Sequence, residues 1–365
     1  MRIALVEPYH GGSHAAWADG YIANSAHQVT LISHPARFWK WRMHGAFLTL
    51  AEQLEEDIAD RGLPDVILAS SMMDVAAFAG AVRTLAPGVP IATYFHESQF
   101  TYPLSPADTA DATYPMKNWA SAAASDLVIF NSSYHRETFR VGAHRFLKDF
   151  PEYTHVHRID DAIDAAVVLP VGVDVSELAH APRSMHHPPL IVWNHRWEHD
   201  KGPDLLLEIV EILNASGVDY AAAMCGEVFV SVPPAFSKVT EAIGGRLVQE
   251  GWAAADDYRA LLSKASVVLS TADQEFFGIG VVEGIAAGAH PVVPNRLVYP
   301  ERIAQLGIDP SLALYDDPGS AADLIVASLA GPADQAIRDA TIRYDWSVVA
   351  PMYDVALEVL VVGSR

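Results

Sequence analysis

Short continuous apolar runs alternate along this chain with longer, alanine-rich stretches of helical period. In the first half the runs fall at residues 2–7, 28–32, 65–69, 91–95, 127–130 and 167–169. In the second half they fall at 190–193, 220–224, 246–248, 267–270, 291–293 and 312–314. Apolar runs without polar alternation predict strands buried on both faces, and helix-length spacers predict parallel crossovers. The pattern therefore predicts an α/β protein built from two doubly wound, Rossmann-like domains. Residues 8–13 carry glycines and read as a turn after the first strand. Residues 180–189, with three prolines and no apolar period, read as a linker. The expected domains are residues 1–179 and 190–345, with a terminal helix in 346–365 that crosses back to the first. Ligands of such sheets sit beyond the carboxyl ends of the strands, so a site in the cleft between the domains is expected.

Composition narrows the function classes. Apolar residues make up 51% and charged ones 19% of the 365 residues, which excludes a largely disordered chain. Lys and Arg number 24 against 45 Asp and Glu, a formal charge of −21 spread over both halves. A general binder of nucleic-acid backbone is basic, so any anion site here must be built locally. The single cysteine, Cys225, excludes an internal disulfide and a multi-cysteine metal site and reads as a small buried residue. The N-terminus lacks a signal-like apolar run and no long apolar stretch predicts a membrane span, so a cytoplasmic protein is expected.

The sharpest motif runs from Glu275 through Gly278, Ile279 and Gly280 to Glu283. Glycines at a helix start let backbone N–H groups approach an anion, and the flanking carboxylates can accept hydrogen bonds from hydroxyls. That layout suits a sugar on one side of a diphosphate and a ribose on the other; a plain helix N-terminus with Glu283 in its dipole field is the alternative. Upstream, Arg196 and Lys201 follow a strand and can supply two cations to a diphosphate, unless they are spent on Glu198 and Asp200. His195 and His199 lack the order and third ligand of a zinc site, and no Asp-x-Asp pair follows a strand, so no metal ligands are assigned. Gly11 and Gly12 follow the first strand without a full dinucleotide fingerprint, and close over a phosphate or simply turn. His96 and Glu97 end another strand, where His96 can act on a hydroxyl proton or bind a sugar oxygen. Arg37, Trp39, Lys40, Trp41 and Arg42 interleave cations with aromatics, a pattern that receives an unstacked RNA loop or packs its indoles into a core. Arg136, Arg140, Arg145 and Lys148 could extend that patch.

These motifs resemble the retaining glycosyltransferases of family 4, which have the GT-B fold of two Rossmann-like domains facing across a cleft. The E-x7-E pair Glu275 and Glu283, the basic pair Arg196 and Lys201-Gly202, and Val171-Gly172-Val173-Asp174 carry that resemblance. EPYHGGSH, ARFWKWR, YFHESQFTYP and VIFNSSYHRETF in the first half, with IVWNHRWEHDKGP and STADQEFFG in the second, resemble the tRNA-queuosine mannosyltransferase family. The resemblance implies transfer of mannose from GDP-mannose to the cyclopentenediol of queuosine in a tRNA anticodon loop; the absence of an Asp-x-Asp pair, read from the sequence itself, makes a metal-free mechanism the expectation. It implies that Arg196 and Lys201 hold the diphosphate, aided by the backbone of residues 278–280, that Glu275 binds the donor sugar and that Glu283 binds the ribose. Gly11 and Gly12 would close over the reacting centre, with His96 beside donor sugar and acceptor. A GT-B transferase with another nucleotide sugar or with a small-molecule, lipid or glycan acceptor is the nearest competing reading, and a non-catalytic binding module is the third.

Overall fold

A computed structural model describes residues 1–103, 109–228, 232–329, 331 and 333–363. The chain divides into two compact units, Met1–Gly172 with Trp346–Arg365, and Val173–Asp345. The second unit thus begins before the proline-rich stretch. Val173 bridges Asp345, and the Asp345 carboxylate accepts hydrogen bonds from the Ser176 N–H (2.9 Å) and hydroxyl, so residues 173–179 belong with the second unit and not the first.

The first unit holds β1 (Arg2–His10), β2 (Gln28–Pro35), β3 (Val66–Ser70), β4 (Ile91–Phe95), β5 (Leu127–Phe130) and β6 (Val167–Val168), in the order β2-β1-β3-β4-β5-β6. The second holds β7 (Leu190–Asn194), β8 (Ala221–Cys225), β9 (Leu247–Gly251), β10 (Ala265–Leu269), β11 (His290–Pro294) and β12 (Leu314–Tyr315), in the order β12-β11-β10-β7-β8-β9. Each named strand pair is parallel, and β3, β4, β8 and β10 are buried throughout, which is why their sequences are continuously apolar. Strand order reverses between β7 and β10, and the carboxyl ends flanking such a switch point form a crevice.

Two stretches depart from expectation. Residues 8–10 extend β1 instead of turning: Tyr9 N–H donates to the Glu7 carboxylate (2.8 Å), and His10 still pairs with Pro35 across a register shift. Leu312 closes a short 3-10 turn, so β12 starts two residues later than its apolar run.

The last helix, Trp346–Gly363, packs on the first unit. By length and mean hydropathy (1.5) it is long and apolar enough to cross a membrane. Here it buries Trp346, Tyr353 and Leu357, and the Trp346 ring occupies space that a side chain on Gly20 or Gly172 would fill. Its buried Asp354 accepts from the Tyr21 hydroxyl (2.7 Å), the Ser25 hydroxyl (2.6 Å) and the Ala26 N–H (2.8 Å). Asp354→Ala leaves those donors unpaired, and a loss of about 2–4 kcal/mol in unfolding free energy is expected by urea denaturation. An unchanged urea midpoint would show that this carboxylate does not fasten the helix.

Candidate active site

In the second unit the chain leaves β7 at Asn194, passes His195 and Arg196, and makes a short 3-10 turn, His199–Lys201, before the helix Pro203–Ser216. Gly202 joins turn to helix with φ near 61°, and a Cβ there would lie 2.1 Å from the Thr271 carbonyl oxygen, so only glycine lets this loop press on the loop after β10. The contact is fastened by Thr271, whose hydroxyl donates to the Lys201 carbonyl (2.7 Å) and accepts from the Trp193 indole (3.0 Å).

Lys201 is thereby buried with its ammonium aimed at the β10 loop. It donates to the Gln274 carbonyl (2.8 Å) and lies 3.1 Å from Asp200 and 3.6 Å from Glu275. Burial works against its charge, but the Glu275 and Asp200 carboxylates outweigh burial and hold its pKa above the usual lysine value. Glu275 is the counterpart: burial pushes its carboxyl up, yet Lys201, His195 and backbone N–H groups bring it below the ordinary carboxylate range. One Glu275 oxygen accepts from the N–H groups of Phe276 (3.1 Å), Phe277 (3.3 Å) and Gly278 (3.1 Å). Of the backbone N–H groups of residues 278–280 expected to face a diphosphate, that of Gly278 is taken by the protein's own carboxylate. The N–H groups left at the helix start are then those of Ile279 and Gly280, at the head of Ile279–Ala286, which has no side-chain cap. His195, buried beside Lys201, is lowered to about 4 by burial first and by that ammonium second, so it is a neutral imidazole at pH 7.

Arg196 is half-exposed and pairs with Glu198 at 3.1 Å. Both cations of this loop are thus already matched with acids one or two residues away, the arrangement that sequence offered as the alternative to diphosphate binding.

Glu283 behaves differently from Glu275. Burial raises its carboxyl to about 7, although the Tyr258 hydroxyl donates to it at 2.7 Å and partly offsets the rise. Asn194 donates to the Tyr258 oxygen and to the Gly280 carbonyl, both at 2.8 Å, tying β7 to the glycine turn. Behind that turn, buried Arg302 donates to the Phe277 carbonyl (3.1 Å) with its guanidinium 4.2 Å from the Phe277 ring, and Tyr299 hydrogen-bonds Ser270 (2.6 Å). Asn194, Tyr258, Tyr299 and Arg302 were not singled out from sequence. Tyr299 and Arg302 share the helix Tyr299–Gln305, and nothing in the spacing of Tyr258 pointed to Glu283.

In the first unit, Gly11 sits at the end of β1 against Ala36, and Gly12 opens the helix Gly12–Asn24 with φ near 52°. His96 follows β4 and stacks edge-on against Trp17 (4.7 Å) and Tyr94 (4.8 Å), while Glu97 accepts from the Gln99 amide (2.8 Å). Burial, then His14 and His135, hold His96 well below the ordinary histidine value. Its ring nitrogen lies 3.8 Å from buried Glu7, and His14 lies 3.1 Å from the same carboxylate oxygen. Glu7 and His14 were given no role, although EPYHGGSH contains both, because one lies within an apolar strand and the other in the first turn of a helix. The three are the one cluster of metal-ligand side chains found among the described residues.

The basic-aromatic stretch forms the start of the helix Trp39–Arg61, with Arg37 and Phe38 just before it. It does not fill a core: Phe38 is 78% and Trp41 64% exposed. Trp39 leans on Tyr114 (5.2 Å) under the Lys40 ammonium (5.6 Å), and Arg42 donates to the Pro35 carbonyl. Trp41 lies along its own helix over Gly45, where a Cβ would come within 2.7 Å of the ring, so the indole rests on bare backbone. Arg140 does not extend the patch; it is spent on Asp160 and Asp164.

Solved structures share this architecture. Sucrose-phosphate synthase from Thermosynechococcus elongatus aligns over the whole of both chains with a TM-score of 0.70 at 15% identity. Anabaena HepE in complex with UDP and glucose aligns over 98% of this chain and 99% of its own, with a TM-score of 0.66 at 15% identity. The fold is GT-B, that of nucleotide-sugar glycosyltransferases. Within that class, residues 2–173 match the family described as tRNA-queuosine alpha-mannosyltransferase N-terminal. The tRNA-queuosine alpha-mannosyltransferase of Drosophila melanogaster is 32% identical over 310 residues, 82% of this chain and 81% of that protein. The chain belongs to the tRNA-queuosine alpha-mannosyltransferase family.

Because Glu283 keeps a proton in the folded protein that the unfolded chain releases at lower pH, folding stability should fall as pH rises from the ordinary carboxylate range through about 7. Tyr258→Phe removes a donor that favours the charged form, so the Glu283 midpoint should move up from about 7. Carboxyl-carbon NMR titration checks this, and a lowered midpoint would contradict the geometry.

Proposed function

We propose that the protein transfers mannose from GDP-mannose to the cyclopentenediol of queuosine in a tRNA anticodon loop, with retention at the anomeric carbon. The observation that carries the transfer reading is buried Lys201 held against Glu275 beside an uncapped helix start at the β7/β10 switch point. Mannose and queuosine come from family membership.

On this reading the departing diphosphate faces Lys201, the N–H groups of Ile279 and Gly280, and Arg196, which exchanges Glu198 for phosphate. Fixed cations aimed at growing charge stabilise a transition state without a metal at that position. The outer oxygen of Glu275 accepts from donor-sugar hydroxyls and Glu283 from the ribose. The bond from the anomeric carbon to phosphate oxygen breaks as the bond to the acceptor oxygen forms on the same face, and the acceptor proton passes to the leaving phosphate. No enzyme nucleophile is required. Gly11, Gly12, His96 and Glu97 are assigned to the sugar and acceptor, and Arg37, Trp39, Lys40, Trp41 and Arg42 to the anticodon loop. A tRNA acceptor makes the cytoplasm the working compartment.

Incubation with GDP-mannose and queuosine-containing tRNA should yield a hexose-bearing nucleoside by mass spectrometry. Arg196→Ala, at a half-exposed position, should lower kcat by about 10²-fold. Trp41→Ala should raise KM for tRNA by about tenfold and leave GDP affinity unchanged, as the loss of one stacked base predicts. The charge of −21 favours a second reading, a small-molecule acceptor. Salt separates them: tRNA affinity carried by phosphate contacts falls as salt rises, whereas turnover of a small alcohol does not.

A further inference from the structure

Glu7, His14 and His96 come from three separate places, the second half of β1, the start of Gly12–Asn24 and the residue after β4, yet one ligand atom from each lies within 4.8 Å of the others. The Glu7 oxygen facing both histidines is 3.1 Å from His14 Nδ1 and 3.8 Å from His96 Nε2. Glu7 is fully buried, and its other oxygen is occupied by the Tyr9 N–H. The two imidazole rings lie 4.0 Å apart. His96 Nε2 is buried with no hydrogen-bond partner, and its side chain is only 10% exposed. Such an orphaned nitrogen is costly unless something fills the space before it.

The ring is also held where it is. Trp17 and Tyr94 wall it, and Asn131 donates to the His96 carbonyl at 3.0 Å while its own oxygen is 3.0 Å from His135 Nδ1. Nothing in the transfer scheme uses Glu7 or His14.

We infer that Glu7, His14 and His96 form a binding site for a zinc-class divalent cation. Two imidazoles and one carboxylate suit zinc and its first-row neighbours, whereas magnesium and calcium prefer all-oxygen sets. Bonds of about 2.1 Å at tetrahedral angles place neighbouring donors about 3.4 Å apart, so small side-chain rotations close this set on an ion. The ion displaces the proton shared between His14 Nδ1 and the carboxylate. Three protein ligands leave a fourth position for an exogenous oxygen. With Nε2 on the ion, His96 is a ligand and not a proton acceptor. The inference shares His96 with the transfer reading, but it concerns ion binding in the first unit and is read by metal titration, so it can fail while the transfer reading stands.

The test is titration of chelator-stripped, full-length protein with cobalt(II) chloride, followed by zinc competition. One cobalt per chain with visible d–d absorption, displaced by zinc, is expected. His96→Gln and Glu7→Gln, checked for folding by circular dichroism, should weaken binding by at least about tenfold. His157→Ala, in the separate His155/His157 pair, should not. Absence of the cobalt band, or a band of equal affinity in a folded His96→Gln protein, overturns the site. Should the variants fail to fold, anomalous scattering at the zinc edge from wild-type crystals decides: a peak among the three side chains supports the inference, and none there overturns it.

Discussion

The second unit is organised around the Lys201 ammonium. A buried cation is tolerable only when matched, and here two carboxylates and a carbonyl oxygen do so at 2.8 to 3.6 Å. To bring them within reach, the loops after β7 and β10 must touch, which requires the bare backbone of Gly202 and the Thr271 bridge. The same closure draws Glu275 back onto its own N–H groups and leaves Ile279 and Gly280 at the uncapped head of their helix. One constraint therefore sets the charge state of Lys201, the orientation of Glu275 and the direction in which the helix presents its positive end.

The two acids of the E-x7-E pair share a motif and little else. Glu275 sits beside a cation and three amide donors and stays charged, whereas Glu283 has a tyrosine hydroxyl for company and titrates near neutrality. Spacing identified both residues but could not distinguish their environments. Those depend on Lys201 in one case and Tyr258 in the other, from elements distant in sequence.

Strand positions were legible because strands buried on both faces must be continuously apolar, and all twelve runs overlap observed strands. The failures arise where long-range pairing overrides composition. Residues 8–10 look like a turn but stay in the sheet because β2 extends to Pro35. Residues 173–179 look like the end of the first domain but are fastened by Asp345. Among site residues, the glycine-flanked acids and the basic loop stood out by chemistry. Glu7, His14, Asn194 and Tyr258 did not, since each has an ordinary local context. The indoles of Trp39 and Trp41 left two readings open; the exposure of Trp41, whose ring lies over Gly45, decides against a core role for it, whereas Trp39 is half-buried against Tyr114.

The helix Trp346–Gly363 gives the molecule an order of assembly. During synthesis every residue of Val173–Asp345 is made before the segment that supplies Trp346, Tyr353 and Asp354 to the other unit. The later unit can reach its native contacts first, while the earlier one waits with Trp17 and Tyr21 lacking their partners. Ribosome-bound chains ending before Trp346 would therefore expose an aromatic wall on the part of the protein that was translated first.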